Sequence, residues 1–156
     1  MRIFPVASMP ARIYSDTTKP PFNDVRVRRA VQLAMDREGM VNAILMGQGV
    51  TGPHYSPQID PYWVGWDELP PEVAQWVKYD PQRARQLLAE AGYPNGFKTT
   101  ILAANFLGFP DQAQVAADQL RRFLNIDATV QPVEGTAAYA RYKSGDWKLG
   151  FHAEGF

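Results

Sequence analysis

A chain of 156 residues is the size of one compact domain, large enough to bury about 70% of its unfolded surface without a disulfide or metal to hold it. Lys plus Arg (16) balance Asp plus Glu (16), which argues against a nucleic-acid partner and against electrostatic attachment to an anionic membrane. The absence of cysteine excludes disulfides and thiolate metal sites, and no apolar run nears the ~20 residues of a membrane span.

The opening segment, MRIFPVASMPARIYSD, is interrupted by Pro5 and Pro10, so it lacks the unbroken apolar stretch of a secretory leader. Ala11 to Ser15 reads as a short extended segment, and Pro20-Pro21 forces a non-helical entry to the first helix. Asp24 is placed to cap that helix, which runs through Met35 with Val27, Ala30, Val31, Ala34 and Met35 on one buried stripe. Asp36 caps a second short helix, Arg37 to Met46, whose apolar side is Val41, Ile44 and Leu45; Gly47 stands where a left-handed end residue is expected.

From Gly47 to Tyr79 no period is sustained. Pro53, Pro57, Pro61, Pro70 and Pro71 break the stretch, though Pro71 to Val77 can form one or two helical turns. Loops longer than about 12–15 residues are uncommon in compact domains. This one carries Tyr55, Tyr62, Trp63, Trp66 and Trp76. Such rings can stack on a ligand or staple the loop to its own core, and the staple is the favoured reading.

Asp80-Pro81 opens a third helix with Ala84, Leu87, Leu88 and Ala91 buried; Gly92 ends it and Pro94-Asn95-Gly96 turns the chain. Phe97, Thr99, Ile101 and Ala103 alternate with Lys98, Thr100 and Leu102, the pattern of a half-buried strand. Asp111 to Leu124 is helical, Ile126 to Gln131 alternates as a strand, Thr136 to Ser144 is helical and Trp147 to His152 is a last strand. Strand, helix, strand, helix, strand in series predicts an α/β fold with a mainly parallel sheet flanked by helices.

No motif announces an enzyme. There is no G-x-S-x-G elbow, no P-loop and no dinucleotide glycine pattern, and only two histidines are present. Gly47-Gln48-Gly49 with Gly52 ends a helix instead of opening one, so it does not read as a phosphate cradle. His152 and Glu154 share a face of an extended strand and can offer two metal ligands. The plainer reading, a strand-end His and an exposed Glu, is preferred, and no metal or cofactor is assigned. In open parallel sheets a ligand lies beyond the carboxyl ends of the strands. That rule selects Asn105, Phe106, Glu134, His152, Glu154 and Phe156 as candidate ligand contacts. Asn105 and Glu134 would supply hydrogen bonds, and Phe106 and Phe156 apolar cover.

Two stretches carry a resemblance. Ile13 to Glu38 is similar to "Yxx(F/Y)NT" leading into "PPFxDVRVRxAxxxAxDRExI", with Asp16 where Asn is common. Tyr79 to Phe97 follows "YDPxxAxxLLxEAGYPxGF" throughout. A weaker third element, Gln119 to Glu134, is similar to "QLxxxGIxxxxxxxE", with Asn125 in place of the usual Gly. In this order and spacing the set resembles the extracellular solute-binding proteins of family 5, the ligand-capturing subunits of importers for oligopeptides, dipeptides, nickel and some sugars.

The resemblance implies a periplasmic-binding-protein-like (type II) fold, with residues 1–156 forming the smaller lobe of a two-lobe clamp and 47–79 a long loop within it. It implies a small solute or peptide as ligand and the membrane permease of an ATP-driven importer as partner. It also implies an extracytoplasmic protein, periplasmic or a cell-surface lipoprotein, whose leader lies upstream. Ile13, Tyr14 and Phe151 would lie on the two strands next to the hinge. The competing readings are a sensor or chaperone-like domain that reuses the lobe without transport, and a small self-contained enzyme with a deep pocket and clustered titratable groups.

Overall fold

The computed structural model describes residues 11–47, 51, 64–106 and 108–153. In chain order these form β1 (Ala11–Ser15), α1 (Val25–Leu33), α2 (Arg37–Leu45), a single 3-10 turn (Trp66–Glu68), α3 (Pro71–Val77), α4 (Pro81–Glu90), β2 (Lys98–Ala104), α5 (Phe109–Leu124), β3 (Asp127–Val133), α6 (Gly135–Ser144) and β4 (Leu149–Ala153). The sheet order is β1-β4-β2-β3. β2 runs parallel to both β3 and β4, and β1 closes the far edge antiparallel to β4. The mainly parallel sheet flanked by helices is the expected α/β architecture.

The helices start where short acids precede them. Asp24 accepts from the Arg26 N–H at 2.8 Å, Asp36 from Gly39 at 2.8 Å and Asp80 from Arg83 at 2.9 Å, each satisfying a donor that has no partner within its helix. Helix α1 stops at Leu33, two residues short of expectation. Its last carbonyl is taken by a distant segment: the Asp80 N–H donates to the Leu33 oxygen at 2.9 Å. Helix α5 starts earlier than expected, at Phe109, because Gly108 turns the chain at φ 72° and Pro110 fits the first turn. β3 continues through Pro132 to Val133; an edge strand tolerates the missing N–H.

Two sequence expectations give way to tertiary packing. Alternation predicts one buried face for β2, yet Ile101, Leu102, Ala103 and Ala104 are all buried. The strand lies in the middle of a sheet covered on both faces, where side chains on either side meet protein. On one face, Phe109 of α5 stands edge-on to Phe151 of β4 at 6.3 Å. On the other, Tyr142 of α6 lies against Gly150 of β4 and reaches the Leu102 carbonyl of β2. The second departure is α2, which contributes no fully buried residue: Val41 and Ile44 are half-buried, Leu45 is exposed and Met46 is 85% exposed. Gly47 is left-handed as expected, and Met46 before it is left-handed too.

Of the loop aromatics, Trp66 donates from its indole to the Thr51 hydroxyl at 3.1 Å, and Trp76 packs on the core beneath the Arg29 guanidinium, 3.8 Å from its ring centre. Trp76 behaves as a staple to the core, and Trp66 ties one part of the loop to another. Tyr55, Tyr62 and Trp63 lie outside the described residues. None of the described helices is long and apolar enough to cross a membrane.

The stretches that carried the resemblance grip one another. The Gln119 side chain donates to the Asp36 carbonyl at 3.0 Å and accepts from the Asp36 N–H at 2.9 Å, pinning the α1–α2 junction to α5. Asn125 ends α5 at φ 54°, a left-handed position that Gly fills freely and Asn tolerates. That geometry explains how Asn replaces the Gly of the pattern. Its side-chain amide donates to the Asn95 carbonyl at 2.6 Å. Gly96, at φ 72°, presses so closely on the Asn125 carbonyl that an added Cβ would overlap it.

Gly96 and Gly92 separate these effects. Gly92 is also left-handed, at φ 93°, but nothing lies within 4 Å of a Cβ built there. Gly92→Ala is expected to cost about 1 kcal/mol from backbone strain alone. Gly96→Ala should cost several times that, because strain and overlap with backbone add. Urea unfolding of the two variants checks the order.

Candidate functional site

The carboxyl ends of β2 and β3 lie side by side, and both chains turn there. Beyond β2 the Asn105 N–H donates to the Val133 carbonyl at 2.7 Å, which extends the parallel pairing by one residue. Phe106 then turns under a 2.8 Å bond from its N–H to the Ala104 carbonyl, and α5 follows after Gly108. The Phe106 ring is 47% exposed and meets Phe109 edge-on at 6.2 Å. Beyond β3, Glu134 caps α6. Its carboxylate Oε2 accepts from the Thr136 N–H at 3.0 Å and from the Thr136 hydroxyl. Those two bonds, the hydroxyl's foremost, hold the Glu134 carboxyl below its usual range, so it is ionised at neutral pH.

Between these two turns lies a hollow of about 150 Å³, lined by Ala104, Asn105, Phe106, Glu134, Gly135, Ala138, Tyr139 and Tyr142. Tyr142 is its most constrained wall. A Cβ on Gly150 would come within 2.6 Å of the Tyr142 ring, so glycine on β4 is what lets the ring come this close to the sheet. The Tyr142 hydroxyl donates to the Leu102 carbonyl at 2.9 Å, and burial pushes its pKa up to about 12. Trp147 stands edge-on to the same ring at 5.5 Å and donates from its indole to the Tyr142 carbonyl. Lys19 closes the far end of α6: its ammonium bonds the Gly145 carbonyl and pairs with Asp16 at 3.2 Å. Tyr139, 44% exposed, carries the Lys143 ammonium 5.2 Å over its ring.

Of the residues singled out from sequence, Asn105, Phe106 and Glu134 come together in this hollow. The backbone of His152 lies in β4 opposite Arg12, one residue beyond the Ala103–Phe151 pair of the β2–β4 ladder. Glu154 and Phe156 lie outside the described residues, so the His152–Glu154 pair lies outside them as well. Ile13 and Tyr14 sit opposite Phe151 and Gly150 in the β1–β4 ladder. Sequence reasoning missed Gly135, Ala138, Tyr139 and Tyr142. The available signal was the spacing of Tyr139 and Tyr142, three apart on a helix that starts at a strand's carboxyl end.

Chemically, the lining offers methyl groups, three aromatic rings, one amide and one ionised carboxylate. It can enclose an apolar group and meet a donor or cation at its edge. Among the described residues no three His, Cys, Asp or Glu side chains gather closely enough to hold a metal ion.

Residues 6–155 match the sequence pattern described as "Bacterial extracellular solute-binding proteins, family 5 Middle". The chain is 42% identical over 89 residues to Heme-binding protein A of Haemophilus influenzae, covering 57% of this chain and 15% of that protein. It is 33% identical over 93 residues to the glutathione-binding protein GsiB of Escherichia coli K12, covering 60% of this chain and 17% of that one. Among solved structures it is similar to a dipeptide binding protein of Pseudoalteromonas sp. SM9913 in complex with Met-Leu, with TM-score 0.74, 25% identity and coverage of 90% of this chain and 27% of the other. It shares its fold with a periplasmic oligopeptide-binding protein of Borrelia burgdorferi, with TM-score 0.75 at 20% identity and coverage of 90% and 27%. The chain therefore spans roughly a quarter of the length of these solved relatives and about a sixth of the curated ones.

Tyr142 gives a pH signature. Its folded pKa of about 12 lies above the ordinary 10.0, so between these values the folded chain keeps a proton that the unfolded chain has lost. Its contribution to stability is complete below pH 10 and falls as pH rises toward 12. The urea midpoint should decline across that window, and decline less steeply in Tyr142→Phe. Equal slopes in the two proteins would show that the buried hydroxyl is not the group responsible.

Proposed function

The chain belongs to the bacterial extracellular solute-binding proteins of family 5, and from that membership we propose that it is a ligand-enclosing lobe of the capture subunit of an ATP-driven importer. Its work is non-covalent. Solute is buried between this lobe and a second one contributed by sequence outside these residues, and the bound state favours a closed clamp that a membrane permease reads. The observation that carries the reading is the hollow at the carboxyl edge of the sheet. It brings Asn105, Phe106 and Glu134 together on an open face, where ligands of open α/β sheets bind.

A peptide is the proposed solute. A solved relative named for dipeptide binding is 25% identical to this chain. A peptide also brings an ammonium group suited to Glu134, and N–H and carbonyl groups suited to Asn105. The β1–β4 ladder, with Ile13 opposite Phe151, is the proposed hinge-side border of the lobe. The protein works outside the cytoplasm, in the periplasm or at the cell surface.

Affinity tests this reading. A micromolar complex is worth about 8 kcal/mol, and a lobe supplying half of that binds only at about millimolar concentration. Calorimetry with Met-Leu and other short peptides should find millimolar binding or weaker for this chain. Binding should be micromolar for the longer protein encoded with its flanking sequence. Micromolar binding by this chain alone would show a self-sufficient binding domain instead.

A further inference from the structure

We infer that the hollow between β2 and α6 is a subsite for one apolar group of about benzene size, carried by a solute whose ammonium group lies next to it. The inference rests on the capture reading and narrows it to a solute class. Size is the first argument. An apolar cavity of about 150 Å³ admits a single benzene ring, and the hollow, open on one side, has about that volume. A fused bicyclic group exceeds that volume and leaves part of its surface outside the open side, and a tetrapyrrole macrocycle is not taken in whole.

Lining is the second argument. The methyl groups of Ala104 and Ala138 and the rings of Phe106, Tyr139 and Tyr142 leave Asn105 and Glu134 as the polar side chains apart from the two phenols. The Tyr142 hydroxyl is already committed to the Leu102 carbonyl. A solute that brought only hydroxyl groups into this space would find partners at Asn105 and Glu134 on the edge and leave the rest unmet. An aromatic or branched aliphatic group loses nothing there and gains contact with three rings.

Rigidity and charge complete the case. The Tyr142 ring is fixed between its hydrogen bond and the flat surface at Gly150, so the hollow exists before solute arrives, which lowers the ordering cost of binding. Glu134 is held in place by its two bonds to Thr136. The Lys143 ammonium lies over Tyr139 and is not part of the lining. Glu134 is the one charged side chain of the lining, and it favours a cation there.

Amide NMR titration of this chain with four probes tests the inference. Phenethylamine should shift the amides of Ala104, Asn105, Gly135 and Ala138 saturably, with Kd in the millimolar range. Phenethyl alcohol should shift the same amides about threefold more weakly, the size of an exposed ion pair. Ethanolamine should leave them unmoved, and naphthylethylamine should bind more weakly than phenethylamine.

Glu134→Gln should erase the preference for amine over alcohol. A role confined to capping α6 would not change that ratio. Ala138→Leu, at a buried position of the lining, should fill the space. Tyr139→Ala, at an exposed position, should remove a wall. Each should weaken phenethylamine at least about fivefold, and thermal melting within a few degrees of the unmodified chain certifies both folds. Naphthylethylamine binding as well as phenethylamine, shifts centred on other residues, or unchanged binding in Tyr139→Ala would overturn the subsite. None of those results touches the capture reading, which stands or falls on peptide binding by the longer protein.

Discussion

The open end of this molecule is held in place by the double pairing of β2. That strand bonds to β3 along one edge and to β4 along the other, and four consecutive residues, Ile101 to Ala104, are buried. A strand so enclosed cannot shift register by one residue without moving every side chain to the opposite face, where it meets different packing partners. Its carboxyl end is therefore fixed, and with it Asn105, which continues the pairing to Val133. α6 is tied to the same strand through Tyr142 and the Leu102 carbonyl. The hollow is the gap between two elements that β2 locates independently.

The residues that mark the family serve the scaffold. Asp36 and Gln119 join the helical half to α5 by a two-way bond. Arg26 chelates its own cap, Asp24, and donates to the Glu90 carbonyl at the end of α4. Arg28 donates to the Phe22 carbonyl, and Phe22, fully buried, meets Phe97 edge-on at 5.8 Å. Arg37 is half-buried, with desolvation lowering its pKa, and donates to the Val77 carbonyl so that α3 is tied to α2. Each is a charge or amide satisfied by backbone outside its own helix or at its cap, an arrangement that tolerates little substitution. The motif therefore reports the fold faithfully and says little about the solute, because none of these groups lines the hollow.

The proposed subsite is instead built from residues without a signature. Alanine, glycine and tyrosine occupy its walls, and their importance lies in which face of which element they occupy. Gly150 illustrates the dependence. In sequence it is an ordinary glycine within a strand. In the fold it is the flat place that seats Tyr142, and through Tyr142 it shapes one wall of the hollow.

The sequence by itself determined the elements: the caps at Asp24, Asp36 and Asp80, the stripes of α1, α4 and α5, and the βαβαβ order that makes the sheet mainly parallel. These rest on contacts three or four residues apart or on strict alternation, so a linear reading finds them. It also placed Asn105, Phe106 and Glu134 at strand ends, because topology alone says where such ends gather. Tertiary structure alone decided that Leu102 is buried, that β1 closes the sheet beside β4, that α1 ends at Leu33, and that Tyr139 and Tyr142 join the strand-end residues around one hollow. Those outcomes depend on which face a crossover helix covers and which distant backbone group takes a given hydrogen bond, and neither is encoded in local spacing.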